Sequence, residues 1–185
     1  MEDLVVVGNG MAGVACLEQI LKHSPKFRVT VFGDETHANY NRILLSSVLA
    51  GERSADDIMI NPLAWYQQNH VALRLGVRIV DVDPKRRTVK GDDDSVTHYD
   101  KLLLATGSTA WIPPIDGVDK ENVFTFRNLD DTRSLVHAAG KGVRAVVIGG
   151  GLLGLEAARG LQLQGCDVTV VHLMDTLMNL SLIHI

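Results

Sequence analysis

Cysteine is scarce: Cys16 and Cys166 are the only two among 185 residues. They stand far apart, so no four-cysteine metal or iron–sulfur framework can be built from this chain. Both are expected to be small buried apolar residues in a reducing compartment rather than redox groups. A basic surplus is lacking as well: 18 Lys and Arg face 22 Asp and Glu, for a net charge of −4. That balance argues against nucleic acid as a partner, because nothing would neutralise a phosphate backbone. No apolar run approaches the roughly 18 residues that span a bilayer, and the start Met1-Glu2-Asp3 lacks the basic end of a signal peptide. The expectation is a cytoplasmic protein without a membrane partner. No histidine has metal-ligand spacing, so no metal site is expected, and His23, His37, His70, His98, His137 and His184 are read as surface or loop residues. The acidic run Gly91-Asp92-Asp93-Asp94 is read as a solvated hairpin turn.

What is present is glycine in a repeated context. The β-branched run Leu4 to Val7 leads into a glycine cluster and then into Met11 to Lys22, where Ala15, Leu17, Ile20 and Leu21 can form one apolar helical face. After Ser24-Pro25, Arg28 to Phe32 reads as a second buried strand, which completes a βαβ unit. The pattern returns later: Val143 to Ile148 as strand, Gly149 to Gly154 as turn, Leu152 to Gln164 as helix and Asp167 to Val171 as strand. Between the two, Asn61-Pro62 resembles a helix N-cap and first position, and short strands are expected within 71–82, 86–90 and 96–99, with a buried strand over 102–105. A domain boundary is expected near Trp111, in the Pro-containing stretch 108–122, with Trp111, Pro113 and Pro114 as packing and linker residues. The fold class is therefore α/β: two Rossmann-like doubly wound units in tandem, the second incomplete.

The chemistry is carried by the turns. In Gly8-Asn9-Gly10-Met11-Ala12-Gly13 the first glycine allows the tight turn, the second lets backbone approach a pyrophosphate, and the third lets helix and strand pack closely. The N–H groups and partial positive charge of the helix N-terminus then stabilise an anion without a basic side chain. Asp34, at the end of the next strand, is suited to accept hydrogen bonds from a ribose. Gly149-Gly150-Gly151-Leu152-Leu153-Gly154 repeats every steric requirement. After its second strand stands His172, where an acid would mark NAD and an arginine NADP, which leaves the nicotinamide cofactor open. Weak discrimination follows, and charging the ring at lower pH is expected to favour NADPH over NADH. Two dinucleotide sites in one chain suggest electron transfer between two cofactors.

Further residues carry a family likeness. The run Tyr99-Asp100-Lys101-Leu102-Leu103-Leu104-Ala105-Thr106-Gly107-Ser108 resembles the second flavin fingerprint of the pyridine nucleotide-disulfide oxidoreductase superfamily, and Gly151-Leu152-Leu153-Gly154-Leu155-Glu156 resembles its NAD(P)H site. More narrowly, Asn39-Tyr40-Asn41-Arg42-Ile43-Leu44-Leu45-Ser46-Ser47 and Trp111-Ile112-Pro113-Pro114-Ile115 are similar to the amino-terminal flavoprotein region of the NAD(P)H-dependent nitrite reductase large subunit.

The resemblance implies an FAD-binding domain (first segment) over 1–111 and an NAD(P)H-binding domain over 112–185. It implies that Gly8, Asn9, Gly10, Met11, Ala12 and Gly13 hold the FAD pyrophosphate, with Asp34 and Glu35 on the adenosine ribose. Arg42 would pair with the pyrophosphate, Ile79 would meet the adenine through its backbone, and Thr106 and Gly107 belong to the second flavin motif. Arg127 would reach back to the flavin. Gly149, Gly151, Leu152, Leu153 and Gly154 would take the nicotinamide dinucleotide, with Glu156 near its nicotinamide end and His172 at the ribose position. No catalytic residue is singled out.

Departures narrow the resemblance. The stretch Asn41 to Ser47 holds no redox cysteine pair, which disfavours disulfide reduction, and Ser47 stands where related ferredoxin and rubredoxin reductases place a lysine. The tail Leu180 to Ile185 does not resemble family sequence, so a truncated second domain prone to self-association is expected. The implied activity passes electrons from NAD(P)H through FAD to a downstream sirohaem and iron–sulfur portion. A rubredoxin- or ferredoxin-type reductase and a nucleotide-sensing flavoprotein like apoptosis-inducing factor stay open as alternatives.

Overall fold

The computed structural model describes residues 1–23 and 26–178, so Ser24-Pro25 and the tail from Leu180, with His184, lie outside the described residues. In chain order the elements are β1 (Glu2–Val7), α1 (Met11–His23), β2 (Phe27–Gly33), β3 (Asn39–Tyr40), α2 (Leu45–Leu49), β4 (Met59–Asn61), α3 (Leu63–Gln68), β5 (Ala72–Leu75), β6 (Ile79–Asp83), β7 (Thr88–Gly91), β8 (Val96–His98), β9 (Lys101–Leu104), α4 (Leu129–Ala138), β10 (Arg144–Ile148), α5 (Leu152–Leu163) and β11 (Asp167–Val171). They group into two compact units. Met1–Asn41 and Met59–Ser108 make the first; Arg42–Ile58 and the residues from Thr109 onward make the second. The segment Arg42–Ile58 thus groups with residues far downstream, whereas a single boundary near Trp111 keeps it with its sequence neighbours.

The first unit is built on a four-stranded sheet in the order β5-β2-β1-β9, parallel at every pairing. Central β1 is buried over Leu4, Val5, Val6 and Val7, because a parallel sheet hides both faces and favours a continuous β-branched run over alternation. On one face Leu4, Val6, Val29 and Val31 meet Leu17 of α1 and Tyr66 of α3; on the other Val5, Val7 and Phe32 meet Val77, Val89 and Tyr99. The helix buries Gly13, Val14 and Leu17, while Ala15, expected on the apolar face, and Cys16, expected to be buried, are both exposed. Both lie away from the stripe that Gly13 and Leu17 set four residues apart, and only that stripe faces the strands. Strands β6, β7 and β8 form a separate antiparallel sheet. Its β7–β8 turn contains the acidic run, as expected, with Asp93 accepting from the Ser95 N–H.

Asn61 is not a helix cap. The N-cap of α3 is Pro62, and Asn61 closes β4 with its amide buried, donating to Glu18 and accepting from Asn39.

The second unit repeats the βαβ theme: β10 and β11 pair in parallel with α5 between them in sequence. Leu49 of α2 is packed with Ala157, Leu161 and Cys166, so the buried reading of Cys166 holds. Helix α4, not foreseen as an element, starts at a capping box in which Asn128 accepts from the Asp131 N–H while Asp131 accepts from the Asn128 N–H. Trp111 is 80% exposed, so its expected packing role is not met.

Candidate functional site

Each βαβ unit places a glycine turn between strand and helix, and the two turns have the same steric logic. Gly8 has φ +113°, and a Cβ on it would overlap the Ala105 carbonyl. Gly13 is pinned because its Cβ would stand 2.5 Å from the Gly8 carbonyl oxygen. In the second turn Gly149 has φ +117°, and a Cβ on Gly154 would overlap the Gly149 carbonyl. The outer glycines are therefore required by the protein itself.

The middle glycines are different. A Cβ on Gly10 or on Gly151 would meet no atom within 4 Å. Protein packing does not demand glycine there; an approaching ligand would. Neither α1 nor α5 carries an acidic residue in its first turn, and α5 has no side-chain cap, so the N–H groups facing these open positions meet no competing carboxylate. Helix α4, with its capping box and two acids in the first turn, shows the contrasting arrangement. Gly107, with φ +73°, likewise has nothing within 4 Å of its Cβ position and follows Thr106 just past β9, whose partner is β1.

The polar residues expected around the first turn are each engaged by a residue outside the expected set. Asp34 pairs with Arg78 at 3.2 Å on the surface, and Glu35 accepts from the Tyr40 hydroxyl at 2.6 Å. Ile79, half-buried at the start of β6, packs against the Val5 and Phe32 cluster. Asn9 is held from two sides: its Oδ1 accepts from the Tyr66 hydroxyl at 2.7 Å, and its Nδ2 donates to the His37 carbonyl at 3.4 Å. Met11 and Ala12 begin α1.

Tyr66 was not singled out by sequence, since an apolar-aromatic run such as Leu63-Ala64-Trp65-Tyr66 signals core and nothing local links it to Asn9. Burial pushes its hydroxyl from the ordinary value near 10 up to about 12. A folded value above the unfolded one means that the neutral hydroxyl supports the fold in full below about pH 10, and that this support is lost as pH rises from about 10 to about 12. In an alkaline titration followed by phenolate absorbance, one of the three tyrosines is expected to ionise only near that upper limit, together with loss of stability. Tyr66→Phe should abolish that late step; its survival would assign the step elsewhere.

In the second unit Arg42 and Arg127 are brought together: an Arg42 guanidinium N–H donates to the Arg127 carbonyl at 3.2 Å, and the Arg127 N–H donates to Asp131 at 2.8 Å. Glu156 lines a cleft of about 330 Å³ with Ser46, Ser47, Glu52, Leu152 and Arg159. That cleft brings the first turns of α5 beside Ser46 and Ser47, a link invisible in sequence. Leu152 and Leu153, at the start of α5, are both exposed. His172 follows β11 as expected, but its ring turns inward: Nδ1 accepts from the Gly150 N–H at 3.0 Å. Among the described residues no group of three or more His, Cys, Asp or Glu could hold a metal ion, and no helix is long and apolar enough to cross a membrane.

The chain is 48% identical over 182 residues to the nitrite reductase [NAD(P)H] of Bacillus subtilis (strain 168), covering 98% of this chain and 23% of that protein. It is 48% identical over 172 residues to the assimilatory nitrate reductase electron transfer subunit of the same strain, covering 92% of this chain and 22% of that one. It thus spans under a quarter of the length of these curated relatives. Among solved structures, NADH:rubredoxin oxidoreductase from Clostridium acetobutylicum superposes with a TM-score of 0.85 at 25% identity, over 96% of this chain and 46% of that one. The family model of pyridine nucleotide-disulphide oxidoreductases matches residues 2–182, and the chain belongs to that family.

Proposed function

We propose that this chain is the amino-terminal part of an FAD-dependent NAD(P)H oxidoreductase, the diaphorase portion of a cytoplasmic assimilatory nitrite reductase. One observation carries the reading. Two glycine turns share a steric pattern: the first glycine has a positive φ, a Cβ on the last would strike the first glycine's carbonyl, and the middle glycine faces open space. A duplicated cradle of this kind fits two dinucleotides. The first turn, with Thr106 and Gly107 nearby, is assigned to FAD within residues 1–111, and the second to NAD(P)H within 112–185. Asp34 and Glu35 remain the candidates for the adenosine ribose, held in place by Arg78 and Tyr40. Arg42, Ile79 and Arg127 keep their assignment to the flavin side, and Glu156 its assignment to the nicotinamide end.

When bound, the two cofactors supply hydride and electron transfer; the protein residues bind and orient them. The similarity to the B. subtilis nitrite reductase supports a downstream sirohaem and iron–sulfur portion as electron acceptor. Cys16 and Cys166 cannot ligate a cluster between them, so NADH oxidation by the 185-residue chain should not depend on nitrite. The likeness to NADH:rubredoxin oxidoreductase favours a second reading, in which the acceptor is a small redox protein; rubredoxin reduction by the complete protein would favour it.

The test uses one substitution at two places. Gly10→Ser should weaken FAD binding at least tenfold and leave NADH binding within about twofold, and Gly151→Ser should do the reverse, since a discrimination of about 1.4 kcal/mol per site suffices. Calorimetric titration of the chain with each nucleotide reads both. Loss of both ligands, or of neither, from either variant would remove the two-site assignment.

A further inference from the structure

The two turns differ in what holds their second residue. In the first, Asn9 has a side chain of its own, tied to Tyr66 and His37. In the second, the matching residue Gly150 has none and is gripped from outside. Its N–H donates to His172 Nδ1 at 3.0 Å, and its carbonyl accepts from the Met178 N–H at 2.9 Å. The space where its Cβ would stand is taken by the imidazole, with Cγ at 2.8 Å and Cβ at 3.1 Å, and by Leu177 Cδ2 at 2.5 Å. One residue earlier, the Gly149 N–H donates to the Val171 carbonyl at 2.8 Å. The end of β11 and the segment leaving it therefore clasp Gly149 and Gly150.

This contact orients the ring. An Nδ1 that accepts from a backbone N–H carries the lone pair, so the neutral ring has its proton on Nε2, and an imidazolium would face the Gly150 N–H with a second N–H. Nε2 is buried with no partner. The ring is thus oriented toward the glycine turn and not outward as a ribose-reading or phosphate-reading group.

We propose that His172 is a positioning residue of the nicotinamide dinucleotide site: an imidazole acceptor that fixes the Gly149–Gly151 turn ahead of α5, and that does not select between NADH and NADPH. This rests on reading the second turn as a dinucleotide site. Side-chain length makes the idea testable. The Oδ1 of asparagine sits as many bonds from Cα as Nδ1 does, whereas the acceptor of glutamine lies one bond further out. His172→Asn can keep the bond to Gly150; His172→Gln cannot keep it in place.

In the 185-residue chain, His172→Gln should weaken NADH and NADPH alike by about tenfold, the scale of a buried N–H left unpaired, with the ratio of the two affinities unchanged. His172→Asn should stay within about twofold of the unmutated chain for both. Without any substitution, scalar coupling between the Gly150 amide nitrogen and His172 Nδ1, measured by NMR on the nucleotide-free chain, should be present. Absence of that coupling would overturn the proposal, and so would a His172→Asn loss equal to that of His172→Gln, or a change in the NADH to NADPH ratio in either. An unmutated chain that shows the coupling but binds neither nucleotide would support the clasp and sink the dinucleotide reading instead.

Discussion

Gly8→Ser is expected to cost the first unit more than about 3 kcal/mol, while Gly10→Ser, two residues away, leaves stability within about 0.5 kcal/mol. The difference lies in what each new side chain meets. At Gly8 the backbone has φ +113°, a conformation that side chains rarely adopt, and the added Cβ overlaps the Ala105 carbonyl. That carbonyl cannot yield cheaply: the Ala105 N–H donates to the Val7 carbonyl at 2.8 Å, and β9 is paired with β1 over Leu4 to Val7. Backbone strain and displacement of the β1–β9 strand pair then add. Gly10 instead stands in open space at a helix N-cap, its carbonyl accepting from the Val14 N–H, and serine is a preferred capping residue there. Urea midpoints of the two variants read the contrast directly. Equal midpoints would mean that glycine at position 8 is not imposed by the Ala105 contact.

Leu49→Ala is expected to lower the stability of the second unit by about 2–5 kcal/mol, the range for a fully enclosed leucine. Leu49 has no exposed surface, packs with Ala157, Leu161 and Cys166, and its carbonyl accepts from the Gln164 amide at 2.9 Å. Its partner is a glycine for a reason: a Cβ on Gly160 would stand 2.7 Å from Leu49 Cγ and 3.0 Å from Cδ2. Gly160→Ala alone should therefore destabilise, despite the gain of about 1 kcal/mol in helix propensity. In the Leu49→Ala background the methyl enters the space the leucine left, and the same change should stabilise. The double-mutant cycle, read from urea unfolding, should show a coupling of at least about 1 kcal/mol. Additive effects would show that α2 and α5 do not share this contact.

Much of the scaffold was legible because its signals are local. The β-branched runs at Leu4–Val7 and Asp167–Val171, the turn at Gly91–Asp94 and the two glycine fingerprints each announce themselves within about six residues, and the strand-turn-helix order around the fingerprints follows from them. The open space at Gly10 and Gly151 agrees with the reason glycine was expected there.

Other features depended on partners that the chain brings from far away. Asn9 is held by Tyr66, Asp34 by Arg78, and Gly160 makes room for Leu49, separations that no period of two or 3.6 residues encodes. For the same reason Arg42–Ile58 groups with residues beyond Thr109. His172 shows the division most clearly. Its place after β11 was determined by the sequence pattern, but the direction of its ring was decided by the bare backbone of Gly150. A glycine N–H with no side chain over it must be satisfied by whatever acceptor the tertiary structure supplies.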